Sequence, residues 1–367
     1  MLKKIMYIHG SFLGPNFGDF LIFFLTYMLV KDAKEEETQI KVSFTNKKYA
    51  DYVQCQKISL VDFSRIKYAI CTGGGYFGEP YRSKRKWHFN YLRRHIFPLL
   101  LLKVFHIPYI IVGVDAGEIS NTFLQKLTRY IFEAASIVAV RNEESKFFLK
   151  RIGVERNIIA TTDWIMSNYF GTVFTSDSLN NGYMIIHLPV SPSFLNKIDL
   201  LIDDINDYVT KRKIKVIIIT DNKISKHQVI VAEHIKSRII NGAEFHLYQD
   251  PFELLDIIRK ADLIVTSKLH VGICGIRFGK KVISIANHPK IKRFYSQIGL
   301  PDNCVPLSEI KPGTLKCLLN DQAQYLSKQK LSEILDLGDR NCEIVRKFLR
   351  EQEQKKKYNV FVHARDG

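Results

Sequence analysis

Short runs rich in β-branched residues alternate with longer amphipathic segments along most of this chain, and this alternation restricts the fold more than any other feature. A short apolar run between turn signals is typical of a buried strand, and a longer segment with helical periodicity is typical of a surface helix. Strands that alternate with helices build parallel sheets covered by helices, so we predict an α/β fold. The predicted strands are Ile5–Ile8, Gln39–Ser43, Tyr68–Thr72, Tyr109–Gly113, Ile137–Val140, Ile158–Thr161, Tyr183–His187, Lys215–Thr220, Glu244–Leu247, Leu263–Thr266 and Val282–Ile285.

Small and polar residues cluster in Ser167–Gly182, and the alternation begins again behind them, which favours a domain boundary there. A chain of 367 residues also exceeds one ordinary core and suits two domains of about 150–200 residues. We predict two Rossmann-like domains that face each other across a cleft, over residues 1–175 and 176–320. Residues 321–367 are predicted to form C-terminal helices and a tail.

Composition identifies a globular protein with a large excess of positive charge. The hydrophobic fraction of 46% is too high for a disordered chain, and 54 Lys and Arg against 37 Asp and Glu give a net charge of +17. Such a surplus attracts anions at long range, whether these are nucleic acids, lipid headgroups or phosphorylated substrates.

The cysteines predict a reducing, cytoplasmic environment. None of the six forms a C-x-x-C pair, and several lie in apolar runs, as Cys71 and Cys274 do. Their spacing also does not suggest a metal site. Two apolar runs resemble membrane spans, but Phe20–Val30 is too short and Ile96–Val114 is interrupted by charged and proline residues, so we expect neither to cross a bilayer.

Two glycine-rich segments follow predicted strands, where ligands bind in open parallel sheets. His9–Asp19 contains neither G-x-G-x-x-G nor a Walker lysine, which excludes both nucleotide signatures; its Asp19 is either a helix cap or a site residue. The second segment contains Gly73, Gly74 and Gly75, whose backbone amides can form an anion-binding nest. An ordinary tight turn is the alternative.

Two further strand ends carry basic side chains. Lys268 and His270 flank a predicted helix N-terminus, which favours a bound phosphate or carboxylate. Arg141 directly follows a strand and is suited to grip an anion with two hydrogen bonds. The alternative for Arg141 is an ion pair with Glu143 or Glu144.

Cations and aromatic rings are interleaved from Tyr81 to Arg94. This pattern is compatible with a solvated helix face, with nucleic-acid binding, with a surface attracted to anionic lipid, or with sugar stacking on Trp87 or Tyr91. We favour contact with a saccharide acceptor, lipid-linked at the membrane surface, and regard nucleic acid as an unfavoured partner.

Six ordered motifs between residues 5 and 305 together resemble the polysaccharide pyruvyl transferase family. They are Asn16-Phe17-Gly18-Asp19, Gly73-Gly74-Gly75-Tyr76-Phe77-Gly78, Val140-Arg141-Asn142-Glu143-Glu144-Ser145 followed by Gly153, Thr162-Asp163, Ser267-Lys268-Leu269-His270-Val271-Gly272, and Pro289-Lys290 through Gly299-Leu300. One position departs from the family pattern, since the family usually has arginine where this chain has Lys268.

The resemblance implies a GT-B-like fold and transfer of a pyruvyl group from phosphoenolpyruvate, a co-substrate, to two hydroxyls of a sugar. The first domain would then be the acceptor side and the second the donor side, with no further cofactor and no metal. The implied catalytic residues are His270 as the acid and Asp19 or Asp115 as groups that orient or deprotonate hydroxyls. The implied substrate-binding residues are Asn16, Gly73, Gly74, Gly75, Trp87, Arg141, Lys268 and Lys290.

Two other functions fit the sequence. A GT-B glycosyltransferase with a nucleotide-sugar donor would keep the fold and change the donor. A non-catalytic basic protein that docks on a membrane or a nucleic acid would account for the charge and for the stretch from Tyr81 to Arg94 without using His270.

Overall fold

The computed structural model describes residues 4–14, 16–34, 38–43, 46–80, 83–174, 182–188, 195–222, 226–240 and 242–363. The chain divides into two compact units. Unit 1 comprises the described parts of residues 4–14, 19–170 and 335–363, and unit 2 comprises Asn16–Gly18 and the described parts of residues 171–334. The predicted loop residues from Ser176 to Asn181 lie outside the described residues.

Unit 1 is built on a seven-stranded parallel sheet in the order β3-β2-β1-β4-β5-β6-β7. The strands are β1 (Ile5–His9), β2 (Gln39–Val42), β3 (Gln56–Lys57), β4 (Ile66–Thr72), β5 (Tyr109–Val114), β6 (Ile137–Val140) and β7 (Ile158–Ala160). Its helices are α1 (Phe17–Ala33), α2 (Lys47–Val53), α3 (Lys84–Tyr91), α4 (Phe97–Val104), α5 (Thr122–Ala134) and α6 (Glu143–Arg151), and α7 (Asn168–Val173) continues into unit 2.

Unit 2 repeats this plan with a six-stranded parallel sheet in the order β10-β9-β8-β11-β12-β13. The strands are β8 (Tyr183–His187), β9 (Lys215–Ile219), β10 (Glu244–His246), β11 (Leu263–Thr266), β12 (Lys281–Ala286) and β13 (Cys304–Pro306). The helices are α8 (Leu195–Arg212), α9 (Lys226–Arg238), α10 (Pro251–Lys260), α11 (Leu269–Arg277), α12 (Pro289–Gln297) and α13 (Thr314–Cys317).

The strand orders confirm the predicted α/β class with two Rossmann-like domains. In each unit the first strand lies in the middle of the sheet, and the chain adds strands first on one side and then on the other. This reversal creates a switch point between β1 and β4 in unit 1 and between β8 and β11 in unit 2. Loops diverge at a switch point and leave a crevice beyond the carboxyl ends of the strands, where ligands bind in sheets of this type.

The long last helix, α14 (Lys328–His363), returns to unit 1 after the strands of unit 2 are complete. Buried Asn341 attaches it there, since its Oδ1 accepts a hydrogen bond from Thr161 Oγ1 (2.9 Å) and its Nδ2 donates one to the Thr162 carbonyl oxygen (2.9 Å). Gly338 lies so close to the Met166 carbonyl oxygen that a Cβ there would overlap it. The packing of this helix on unit 1 therefore requires glycine at position 338.

The apolar segments that resemble membrane spans form other structures. Phe20–Val30 lies within α1, and Ile96–Val114 is divided between α4 and the buried strand β5. In the described part of the chain, no helix has both the length and the hydropathy needed to cross a bilayer.

Candidate functional site

The carboxyl ends of three neighbouring strands bring polar side chains together in unit 2. His187 is the last residue of β8, Asp221 follows β9, and Ser267 and Lys268 follow β11. The register pairs His187 with Thr266, so β8 and β11 end at the same level. These residues therefore lie at the switch point of the sheet, where a ligand site is expected.

The buried Asp221 carboxylate links two basic side chains. Its Oδ1 lies 3.2 Å from His187 Nε2 and 3.4 Å from Lys268 Nζ. Burial opposes ionisation of this carboxyl, but the charges and hydrogen bonds of His187 and Lys268 outweigh burial and hold the pKa of Asp221 below its usual range. Asp221 is therefore an anion that orients the Lys268 ammonium group.

Lys268 and His270 lie at the beginning of α11. Lys268 is the N-cap residue, and its backbone N–H donates to Thr266 Oγ1 at 3.0 Å. The Lys268 side chain is about one-third exposed, so its ammonium group is accessible from solvent although it is held by Asp221. The start of the helix and this ammonium group together provide positive potential for an anion.

The segment Asn16–Gly18 packs against the same site within unit 2. The Phe17 N–H donates to the Asp221 carbonyl oxygen at 3.0 Å, and Asn16 forms an isolated antiparallel bridge with Asn222. A Cβ at Gly18 would overlap the His270 imidazole at Nδ1. The His270 ring can therefore occupy this position only because residue 18 has no side chain.

Lys290 is in the first turn of α12, in the loop region beyond β12. Its backbone N–H donates to the Nδ1 of His288, the N-cap residue, at 3.3 Å, and its side chain is half-buried. Lys290 thus follows a strand of the unit 2 sheet, as Lys268 does.

In unit 1, the glycine turn after β4 has a backbone that requires glycine. Gly73 and Gly74 have φ values of +60° and +78°, in the left-handed region. Gly73 also lies against the Ile22 side chain without room for a Cβ, and the Gly74 carbonyl oxygen accepts a hydrogen bond from the Asp115 N–H at 3.1 Å. The position of the turn is therefore fixed by its contact with Ile22 and by its hydrogen bond with Asp115.

A buried ion network lies beneath this turn. Arg141 Nη2 donates to Asp115 Oδ2 at 3.0 Å, and Arg141 Nη1 donates to Asp163 Oδ2 at 3.1 Å. Asp115 Oδ1 also accepts hydrogen bonds from Asn142 Nδ2 (3.1 Å) and Ser145 Oγ (2.9 Å). Burial by itself would lower the pKa of Arg141, but the two carboxylates outweigh it and raise that pKa further. The guanidinium group is therefore charged.

Arg141 does not pair as the sequence alternative proposed. Glu143 and Glu144 are exposed on α6, and the partners of Arg141 are instead Asp115 and Asp163, so that alternative was wrong. Binding of a substrate anion by Arg141 stays a prediction. The net charge of Arg141, Asp115 and Asp163 together is negative, which disfavours the binding of an anion by this group.

The role of Asp115 as a base also stays a prediction. Both of its oxygens already accept hydrogen bonds, including one from a guanidinium group, so a substrate hydroxyl would have to compete with these contacts. The geometry favours a positioning role, in which Asp115 holds Arg141 below the exposed Gly75. A Cβ added at Gly75 would lie 3.4 Å from Asp115 Oδ2.

Two other predicted residues lie on helices of unit 1. Asp19 is half-buried in the first turn of α1, where a carboxylate interacts favourably with the helix dipole. Trp87 is half-buried on α3 and stacks on buried Tyr91, with ring centroids 4.5 Å apart and an interplanar angle of 11°. One face of the indole is therefore covered by protein, which weakens the case for sugar stacking there.

Sequence reasoning missed three residues of the unit 2 site. His187 and Asp221 end or follow strands that the sequence predicts, so the strand-end rule that singled out Lys268 also applies to them. Gly18 was noted only as part of a motif. Across the described residues, no group of three or more His, Cys, Asp or Glu side chains is arranged to hold a metal ion.

A family model described as polysaccharide pyruvyl transferase matches residues 16–289, well over half of the chain. This range contains the motifs from Asn16 to Gly272, whereas Lys290 and the rest of α12 lie just beyond it. The chain has no significant match among curated proteins.

Several solved structures share the fold of this chain. HepE from Anabaena, in complex with UDP and glucose, has a TM-score of 0.54 at 11% identity over 96% of this chain and 100% of that one. UDP-GlcNAc 2-epimerase from Methanocaldococcus jannaschii has a TM-score of 0.57 at 13% identity, over 93% and 99%. MurG from Acinetobacter baumannii has a TM-score of 0.50 at 11% identity, over 95% and 99%. At these identities the likeness concerns the fold alone, which is of the GT-B type.

Proposed function

Because the chain belongs to the polysaccharide pyruvyl transferase family, we propose that it is an enzyme that transfers the pyruvyl group of phosphoenolpyruvate to two hydroxyls of a sugar. The acceptor would be a surface polysaccharide or its lipid-linked precursor, and the product a cyclic ketal. The observation that carries the proposal is the position of Lys268 and His270 at the switch point of unit 2, within the matched range.

The proposed reaction needs one proton donor and two acceptor hydroxyls. Protonation of the methylene carbon of phosphoenolpyruvate gives an oxocarbenium-like carbon, which the first hydroxyl attacks. Phosphate then leaves with its bridging oxygen, and the second hydroxyl attacks the same carbon to close the ketal. Of the two hydroxyl protons released, one restores the donor and the other leaves with phosphate.

His270 is the proposed proton donor, because an imidazole can give and regain a proton near neutral pH. Lys268 and Lys290 are the proposed partners of the donor's phosphate and carboxylate. Lysine at position 268 offers a single ammonium point charge rather than the two-pronged grip of the family arginine. Asp221 and His187 support this arrangement, since Asp221 contacts the Lys268 ammonium.

Unit 1 is the proposed acceptor side. The glycine turn offers backbone amides at the exposed Gly75, and Asp19 is our candidate for orienting an acceptor hydroxyl. Asn16 is a further proposed contact with substrate. We also propose a cytoplasmic location, which suits the six free cysteines.

Calorimetry with phosphoenolpyruvate tests the donor side. We expect wild-type protein to bind it, Lys268→Ala to lose binding, and His270→Ala to keep binding while losing phosphate release in the presence of a sugar acceptor. Failure of folded wild-type protein to bind, or phosphate release that ignores the acceptor, would contradict the proposal.

A nucleotide-sugar donor is the second candidate, because the structural neighbours include a complex with UDP and glucose. Thermal shift assays separate the two candidates. Stabilisation by UDP or GDP without stabilisation by phosphoenolpyruvate would support the second candidate and reject the first.

A further inference from the structure

One long helix of unit 1 presents large apolar side chains to solvent. α3, a π-helical turn (Leu92–Ile96) and α4 follow one another without a break in helical backbone. The exposed apolar residues are Phe89 (65% exposed), Leu92 (38%), Phe97 (49%) and Val104 (67%). Their spacings of three, five and seven residues correspond to one α-turn, the wider π-turn and two α-turns, so they share one side of the helix. We call this side the 89–104 face.

The neighbouring helix extends the apolar surface. α5 packs against both the π-helical turn and α4, and its Tyr130 is 48% exposed. Lys103 Nζ lies 4.0 Å from the centroid of the Tyr130 ring, which places this exposed ring beside α4. Exposed apolar residues that cluster in this way, rather than being scattered singly, mark interaction sites on soluble proteins.

The same helix is basic, and no acidic residue occurs in the sequence from Ser83 to Val114. Lys84 is paired locally with Glu79 at 2.9 Å, and the same carboxylate also contacts His88 at 3.1 Å. The remaining exposed cations at the amino-terminal end are Arg85 and Lys86, which form no ion pair within the described part of the chain.

Charge and apolar surface occupy the same side. Arg85 precedes Phe89 by four residues and Arg93 follows it by four, so all three share a helix face, and the Arg93 guanidinium lies 5.9 Å from the Phe89 ring centroid. A helix with aromatic and aliphatic residues flanked by lysine and arginine binds in the plane of an anionic membrane surface. Aliphatic side chains on the cationic side distinguish it from a nucleic-acid surface, which needs cations and stacking rings.

We propose that the 89–104 face docks on a bilayer rich in anionic phospholipid. Phe89, Leu92 and Phe97 enter the boundary between headgroups and acyl chains, while Arg85 and Lys86 contact headgroup phosphates. This docking goes beyond the proposed function, because it needs neither phosphoenolpyruvate nor turnover. It would hold the enzyme at the surface where a lipid-linked acceptor resides.

Co-sedimentation with vesicles tests the docking. We expect the full chain to pellet with vesicles of phosphatidylcholine and phosphatidylglycerol, to stay in solution with phosphatidylcholine alone, and to dissociate as salt is raised. The double variant Phe89→Ser/Phe97→Ser is expected to lose binding at all salt concentrations. The double variant Arg85→Ser/Lys86→Ser is expected to bind about 30-fold more weakly to the anionic vesicles.

Matched controls use exposed residues elsewhere. Phe147→Ser/Ile240→Ser removes two apolar side chains, and Lys236→Ser/Arg350→Ser removes two cations, and both variants are expected to bind like wild type. Circular dichroism checks folding, and calorimetry with phosphoenolpyruvate on the same proteins separates a failure of docking from a failure of the proposed donor site.

Three results would overturn the proposal. The first is equal vesicle binding by wild type and Phe89→Ser/Phe97→Ser. The second is a dimer in light scattering that this variant abolishes while vesicles leave wild type in solution, which would assign the face to a second copy. The third is binding of a single-stranded oligonucleotide without binding of anionic vesicles.

Discussion

The imidazole of His270 lies directly against Gly18, with no room for a side-chain carbon between them. The two residues come from opposite ends of the matched family range and meet within unit 2. The position of the proposed acid therefore depends on the absence of a side chain at residue 18.

Gly18→Ala is predicted to displace the His270 ring while leaving the fold intact. Alanine is favoured over glycine in a helix such as α1, so a loss of function would not reflect a weaker helix. A displacement of about 1 Å lowers a catalytic rate by about 100-fold, and we expect a loss of that order in acceptor-dependent phosphate release. Gly14→Ala is the control, because a Cβ there contacts nothing. Equal rates for wild type and Gly18→Ala would contradict this dependence.

Lys268→Arg is predicted to retain phosphoenolpyruvate binding, and Lys268→Met to weaken it by about 10- to 100-fold. Arginine keeps the charge that Asp221 orients and adds a second donor for a carboxylate or phosphate, whereas methionine keeps only the chain length. Titration calorimetry on the three proteins measures the effect. Loss of binding in Lys268→Arg would mean that this pocket is shaped for lysine and that its donor differs from that of the family.

Arg141→Met is predicted to lower the free energy of unfolding of unit 1 by about 3–5 kcal/mol, because it leaves the buried carboxylates of Asp115 and Asp163 without their cation. Urea unfolding followed by tryptophan fluorescence reports on this unit, which contains both tryptophans. The control Arg151→Met removes an exposed pair with Glu118 and is expected to cost less than about 1 kcal/mol.

The same variant tests the role of Arg141 in binding. We expect folded Arg141→Met to bind phosphoenolpyruvate as wild type does, since the guanidinium is committed to two carboxylates. A dissociation constant more than about 10-fold higher, in protein shown to be folded, would restore Arg141 as an anion clamp.

His9→Gln is predicted to make unit 1 less sensitive to acid. His9 is fully buried at the end of β1, with its Nδ1 2.8 Å from Tyr7 Oη and its Nε2 3.2 Å from His95 Nδ1, and burial lowers the pKa of His9 to about 3. The unfolded chain takes up a proton on this ring below about pH 6.5, which the native state resists. The contribution of neutral His9 to the free energy of unfolding is therefore complete above about pH 6.5, and it is lost as the pH falls towards 3.

The size of this effect can be measured as the slope of the free energy of unfolding against pH. Between about pH 6 and 4, each such histidine lowers the free energy of unfolding by about 1.4 kcal/mol per pH unit. His9→Gln is expected to reduce the slope by that amount, with His95 still contributing. Parallel slopes in wild type and His9→Gln would show that His9 is not held neutral by the fold.

Local sequence patterns were sufficient for most of the fold. The boundaries of Tyr183–His187 and Leu263–Thr266 are those of β8 and β11, because buried parallel strands are continuous apolar runs between turn residues. The edge strands β3 and β13 were missed, since Gln56-Lys57 is wholly polar and Cys304-Val305-Pro306 contains a proline, which argues against a strand.

The candidate sites were predictable by position but not by partner. Sequence identified the strand ends that carry Lys268, His270, Asp115 and Arg141, since this requires only the predicted boundaries of the strands. The pairing of Arg141 with Asp163 and of Lys268 with Asp221 depends on how neighbouring strands are aligned in the sheet, which residue types alone do not specify.

The return of α14 to unit 1 determines the order in which the chain can mature on the ribosome. Asn341 reaches Thr161 and Thr162 only after all strands of unit 2 have been synthesised. Until then, α14 does not cover the surface of nascent unit 1 around Met166. The residues of the unit 2 sheet, by contrast, are contiguous in sequence and emerge together. A chain that stops before residue 335 would contain Lys268, His270, Asp115 and Arg141. It would still lack the part of α14 that completes unit 1.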